Sequence, residues 1–138
     1  MTVNNSGLVS VATDAALGDY TITVKSTFDE EKSDTSVITV TEPTPVTGIT
    51  FNHETLTLAT GGDPGVIAAT ITPAGATNQN IEWISSDETV ATVNDGIVTP
   101  LTAGTTTITA STEDGGYTDT CMVTVKETID IAEILGIE

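Results

Sequence analysis

The sequence contains no arginine; its only cations are three lysines, set against 20 acidic residues and one histidine, for a formal net charge of -17. Phosphate binding depends on clustered Lys and Arg, so nucleic acid and anionic membranes are poor partners for this chain. A single cysteine, Cys121, leaves no intrachain disulfide and no cysteine zinc cluster. In "TDTCMVTV" it stands where a strand residue would, a small buried hydrophobe rather than a reactive thiol. Long apolar runs are missing as well. No stretch reaches the length of a membrane span, and the opening "MTVNNSGLVSVATD" lacks the cationic and apolar regions of a signal peptide. An exported chain of this kind is expected to be a fragment of a longer secreted protein, or to reach the outside by another route such as a virus particle.

Aromatic residues make up only 4% of the 138 residues, while threonine and valine abound and glycine numbers 12. That composition favours extended chain joined by tight turns, and we expect an all-β protein. The length suits one domain with a proper core, or one small domain plus a partial second. The acidic residues are spread along the chain, a pattern that keeps a protein soluble rather than one that builds a dedicated acidic site.

Self-similarity organises the rest. "GDYTITVKSTFDEEKSDTSVITV", Gly18 to Val40, matches "GTTTITASTEDGGYTDTCMVTV", Gly104 to Val125, with one residue of length difference in the loop. Upstream, "SGLVSV" from Ser6 falls opposite "DGIVTP" from Asp95. Residues 7–40 therefore read as the back half of a unit whose complete copy ends at Val125. The proline-containing stretch "TEPTPV" between them marks a short, stiff linker. The expected organisation is a partial β repeat at 1–42, a linker at 43–45, a complete unit at 46–126 and a tail at 127–138.

Within the complete unit, "VTGITFN" and "ETLTLAT" read as strands, and "GVIAATITPAG" as one strand closing at Pro73. "NIEWISSD" places Ile81, Trp83 and Ser85 on one face, and "TVATVN" reads as a strand carrying Val90 and Val93. Asp95-Gly96 and Ala103-Gly104 are turns, and "EDGGY" joins the last two strands at hairpin spacing. Seven or more short strands at this spacing predict a two-sheet antiparallel sandwich. In the tail, Ile131, Ile134 and Leu135 are placed to share one face of a short helix, with an extra strand or a disordered end as the alternatives.

The stretches "VTGITFN", "TLTLATGG", "ITPAGATNQNIEWISSDETVATVNDGIVTPLTAGTTTITA" and "DTCMVTV" resemble the bacterial immunoglobulin-like domains of group 2, from Val46 to Val125 in order. The resemblance implies an immunoglobulin-like β-sandwich strung beside neighbouring modules in bacterial surface adhesins, other secreted proteins, or bacteriophage capsid and tail proteins. It implies a non-enzymatic spacer or adhesion module, extracellular, on a cell surface or in a virion, that presents loops to a host glycan or protein. Residues 1–42 depart from the pattern, since they lack the opening strands and the tryptophan segment. They are expected to be a cut repeat, or an element exchanged with a second chain in a homo-oligomer.

Candidate chemistry is sparse. The lone histidine, His53, has no nucleophile motif near it and is expected to face solvent. Glu82 alternates away from Trp83, and the acidic pairs Asp87-Glu88 and Asp29-Glu30-Glu31 sit in expected loops. Nothing there argues for an enzyme. Calcium stiffening of an adhesin repeat is the first alternative, with Glu113, Asp114 and Asp119 around one loop as weak candidate ligands. A Lys-to-Asn crosslink is disfavoured because the complete unit has only Lys126. Carbohydrate binding, as in an accessory module of a secreted enzyme, would need an exposed ring, and Tyr117 beside the Gly-Gly turn is the weak candidate. Trp83 is read instead as core, together with Ile81, Val90, Val93, Ile108 and Val123.

Overall fold

The computed structural model describes residues 1–129 and 131–136. The chain divides into two compact units, Met1–Pro43 and Thr44–Glu138.

The first unit contains two antiparallel pairs. β1 (Thr2–Val3) lies against β2 (Val9–Ser10), and β3 (Gly18–Lys25) forms a hairpin with β4 (Ser33–Val40). The β1–β2 pair adds Thr2–Val3 to the repeat read from Gly7 onward. In the hairpin Tyr20 opposes Ile38 and Gly18 opposes Val40, while Thr23 opposes Thr35. Opposed residues share a face, so Tyr20, Ile22, Val24, Ile38 and Val40 line one side and the other is mostly polar. None of the unit's residues is buried.

The second unit is a sandwich. One layer has the order β6 (Thr55–Ala59), β13 (Thr118–Lys126), β12 (Gly104–Thr112), β9 (Ile81–Ser85). Facing it are the pair β5 (Gly48–Phe51) with β8 (Ala69–Thr72), and the three-stranded order β10 (Ala91–Asn94), β11 (Ile97–Pro100), β7 (Gly65–Val66). The two long strands supply the interior by strict alternation. Thr106, Ile108 and Ala110 of β12, and Cys121, Val123 and Val125 of β13, are all buried. Ile108, Cys121, Val123 and Val125 meet Ala91, Val98 and Ile67 in one cluster, and Ala110 meets Val46, Ile49, Ile71 and Ala76 in a second. The buried Cys121 thiol is pushed up in pKa by that burial and then by the nearby Asp119.

Two details depart from the expectations. The segment 65–73 is two strands, because within the facing layer the chain passes from one strand group to the other at Ile67 and Ala68. The Ile67 N–H donates to the Gly96 carbonyl at 2.8 Å, and the Ala68 N–H donates to the Asn52 side-chain oxygen at 2.8 Å. β7 thus joins β11, while β8 joins β5. Secondly, β6 pairs with β13 in parallel, so the sandwich is not antiparallel throughout. In the tail, Ile131–Leu135 forms the expected short helix, on which Ile131, Ile134 and Leu135 are all exposed. Asp130, Ile137 and Glu138 of the expected tail lie outside the described residues.

Candidate functional site: the tryptophan strand and the acidic loop

β9 alternates as its sequence predicts: Glu82 and Ile84 are exposed, while Ile81, Trp83 and Ser85 turn inward. The Trp83 ring is half-buried, packs against both core clusters, and stacks on Phe51 with centroids 5.4 Å apart and planes within 4°. It thereby joins a strand of one layer to a strand of the other. Among the described residues its Nε1–H is buried with no hydrogen-bond acceptor. Nothing local in the sequence ties Phe51 to Trp83, 32 positions further on.

Beyond Trp83 the Ser-Ser-Asp stretch is structural. Thr106 lies at the centre of a hydroxyl network, 3.0 Å from Ser85 Oγ and 3.1 Å from Ser86 Oγ, and accepts the Asp87 N–H at 2.9 Å. Ser85 Oγ donates to the Ala91 carbonyl at 2.7 Å, and the Thr107 N–H donates to Ser86 Oγ at 2.9 Å. Asp87 turns the chain by accepting the Thr89 hydroxyl at 2.6 Å and the Thr89 N–H at 3.0 Å. Those bonds, the hydroxyl's foremost, hold its carboxyl below the usual range. These bonds tie the stretch to β12 and close the turn from β9 to β10.

The turn that follows requires glycine. Gly96 has φ +76°, and a Cβ there would collide with the Ile67 carbonyl and crowd the Trp83 ring. Asp95 before it also has positive φ, at 48°, the pattern of a two-residue hairpin.

Glu113, Asp114 and Asp119 point to separate tasks. Glu113 Oε2 accepts from Asn80 Nδ2 at 2.7 Å and Asn78 Nδ2 at 3.1 Å, and these bonds, Asn80's first, lower its pKa. Asp114 accepts the Val46 N–H at 2.9 Å, and Asp119 accepts the Phe51 N–H at 2.6 Å. The last two pin the entering strand to the closing hairpin, a role that sequence spacing did not suggest. No group of three or more metal-ligating side chains stands together among the described residues. Tyr117 is 41% exposed beside its turn, and its N–H donates to Thr112 Oγ1 at 3.0 Å. His53 and Lys126 are exposed as well. Val90, Ile108 and Val123 are buried, while Ile81 and Val93 pack half-buried against the core.

A sandwich with these turns at these positions can be compared with known families. The profile of the bacterial Ig-like domain (group 2) matches residues 45–123. The chain belongs to that family. Its similar proteins span different settings. An "Ig-like virion protein" of Serratia phage KSP90 is 45% identical over 83 residues, covering 59% of this chain and 32% of that protein. A "minor capsid protein" of Enterobacteria phage T3 is 40% identical over 69 residues, 50% of this chain and 16% of that protein. An "alpha-L-arabinofuranosidase" of Bifidobacterium longum subsp. longum is 46% identical over 92 residues, 63% of this chain but 8% of the enzyme. This chain therefore spans a third or less of the relatives it matches. The solved structure of surface layer protein SbsC, domains 1–6, has the same fold over 94% of this chain and 19% of its own, at TM-score 0.53 and 23% identity. Among the described residues no helix is long and apolar enough to cross a membrane.

Proposed function

We propose that this group 2 Ig-like chain is a non-catalytic structural module of a phage virion, which spaces a neighbouring module or presents its loops toward the host surface. The likeness to the Serratia phage virion protein over the sandwich carries the reading, and the phage T3 minor capsid protein points the same way. The chemistry agrees with a scaffold. Trp83 stacks inside on Phe51, and the loop carboxylates Asp114 and Asp119 bind backbone N–H groups of the same unit. The arabinofuranosidase relative shares a segment that is only 8% of its length, as an accessory module would. A carbohydrate-binding role of that kind would fall in the second unit to Tyr117, a ring exposed beside a loop.

Immunogold labelling with antibody to residues 44–126 tests the placement. Label on purified phage particles supports the virion reading; label on intact bacterial cells alone replaces it with a surface-adhesin reading. Label in neither, with a glycan-binding signal lost in Tyr117→Ala, would favour the accessory-module reading.

A further inference from the structure

The chain enters and leaves the sandwich side by side. Residues 46–60, the first of the second unit's strands, lie along residues 114–128, the last, and both run in the same direction. Three sets of bonds hold them together. At the start, the Asp114 carboxylate accepts the Val46 N–H at 2.9 Å and the Asp119 carboxylate accepts the Phe51 N–H at 2.6 Å. In the middle, the Met122 N–H donates to the Glu54 carbonyl at 2.9 Å, and the parallel ladder of β6 with β13 runs from Thr55 opposite Met122 to Ala59 opposite Lys126. At the far end, the Thr60 N–H donates to the Lys126 carbonyl at 2.9 Å. Thr128 there gives its N–H to Thr60 Oγ1 at 3.1 Å and its hydroxyl to the Thr60 carbonyl at 2.9 Å. The side-chain bonds at both ends join residues 68 apart in sequence, so the two segments keep one register throughout.

That arrangement decides how the unit meets a pull along the chain. Tension arriving through the linker draws residues 46–60 toward their N-terminal end, and tension passing Lys126 draws residues 114–128 toward their C-terminal end. Because the segments are parallel, the two pulls slide one past the other, and their bonds are loaded together rather than opened in turn. We propose that the second unit is a tension-bearing module, in which Asp114 and Asp119 lock the entering strand against the leaving one. The ladder with β13 covers only β6. The two carboxylates extend the hold to the stretch around β5, whose ladder partner is β8 and not β13. They do so with charge-assisted bonds, stronger than neutral ones. The proposal deepens the spacer reading, on which it rests, and does not need the virion placement.

Single-molecule unfolding of the full chain under force tests it, with handles on introduced cysteines; Cys121 is 0% exposed and takes no handle. Pro43→Cys with Ile129→Cys loads the two segments in shear and leaves the first unit outside the path. Asp63→Cys with Ile129→Cys pulls on neighbouring ends of β6 and β13 and peels them bond by bond. All three positions are exposed. We expect the shear axis to need at least about twice the force of the peeling axis, since forced unfolding follows the unfolding barrier. Asp119→Ala should speed rupture about tenfold at fixed force along the shear axis, the weight of one charge-assisted bond. It should leave the peeling axis unchanged, because the bond to Phe51 is still intact when peeling starts. Asp119→Asn keeps an acceptor oxygen and should recover part of the loss; it carries the comparison if the alanine variant does not fold. Equal rupture forces on the two axes would overturn the proposal, as would a variant that speeds rupture equally on both, the mark of a bond that only stabilises. Immunogold labelling is untouched by either result, so the mechanical role and the virion placement fail separately.

Discussion

Replacing Trp83 by alanine and by phenylalanine should give two very different losses of stability. The indole is half-buried, touches both core clusters and stacks on Phe51 at 5.4 Å. Large-to-small core changes at tryptophan cost about 3–5 kcal/mol, and partial exposure places Trp83→Ala at about 3 kcal/mol. About 1 kcal/mol of that is the ring stack itself. Phenylalanine keeps a ring against Phe51 and loses atoms equivalent to two or three methylenes, about 2 kcal/mol of transfer free energy. It also deletes the buried Nε1–H, which has no acceptor among the described residues. Such an orphan donor costs about 1–3 kcal/mol, so its removal offsets the lost area. Trp83→Phe is therefore expected within about 1 kcal/mol of the parent by this balance of transfer and desolvation. For a domain of this size the alanine variant should melt on the order of 15 °C lower. Urea and thermal unfolding must be followed by circular dichroism or calorimetry, because both variants lose the only tryptophan fluorophore. Equal losses in the two variants would refute the reasoning, and would mean that the indole N–H finds an acceptor, such as a bound water. A parent-like melting temperature in Trp83→Ala with lost glycan binding would overturn the interior role altogether.

Other perturbations test the turns and the polar network. Gly96→Ala places a Cβ against the Ile67 carbonyl at φ +76° and should lower stability by about 2–3 kcal/mol in urea titration. Thr106→Val, close in size, strips the Asp87 N–H and the Ser85 and Ser86 hydroxyls of their shared partner. It should cost about 1–3 kcal/mol, whereas Thr106→Ser should recover most of it. Asp87 and Glu113 both have folded pKa values below their ordinary 3.8 and 4.5. Their contribution is complete above those ordinary values and is lost as pH falls through the lower folded ones. The double variant Asp87→Asn, Glu113→Gln should thus lose less stability than the parent on acidification below about pH 4, read by thermal scans from pH 7 to 3.

The sequence by itself determined the fold class. Period-two alternation in "TTTITA" and "CMVTV" forces one face inward, and positive φ at Asp95-Gly96 is chemistry that a turn of this type demands. Both signals are local, and local signals survive in a bare sequence. The repeat between Gly18–Val40 and Gly104–Val125 was equally legible, because similar residues at matched spacing need no third dimension to be compared. Only the tertiary structure decided the rest. It paired Phe51 with Trp83 and Asp119 with the Phe51 N–H, split 65–73 at Ile67, and set β6 parallel to β13. Each joins segments that are distant in sequence, and their meeting is set by which strand edges and apolar faces remain unpaired once the hairpins have formed. The same reason separates the two copies of the repeat. Ile22 and Ile108 carry one side chain at one register, and only the facing-layer residues Ile67, Ala91 and Val98 packed with Ile108 make it core.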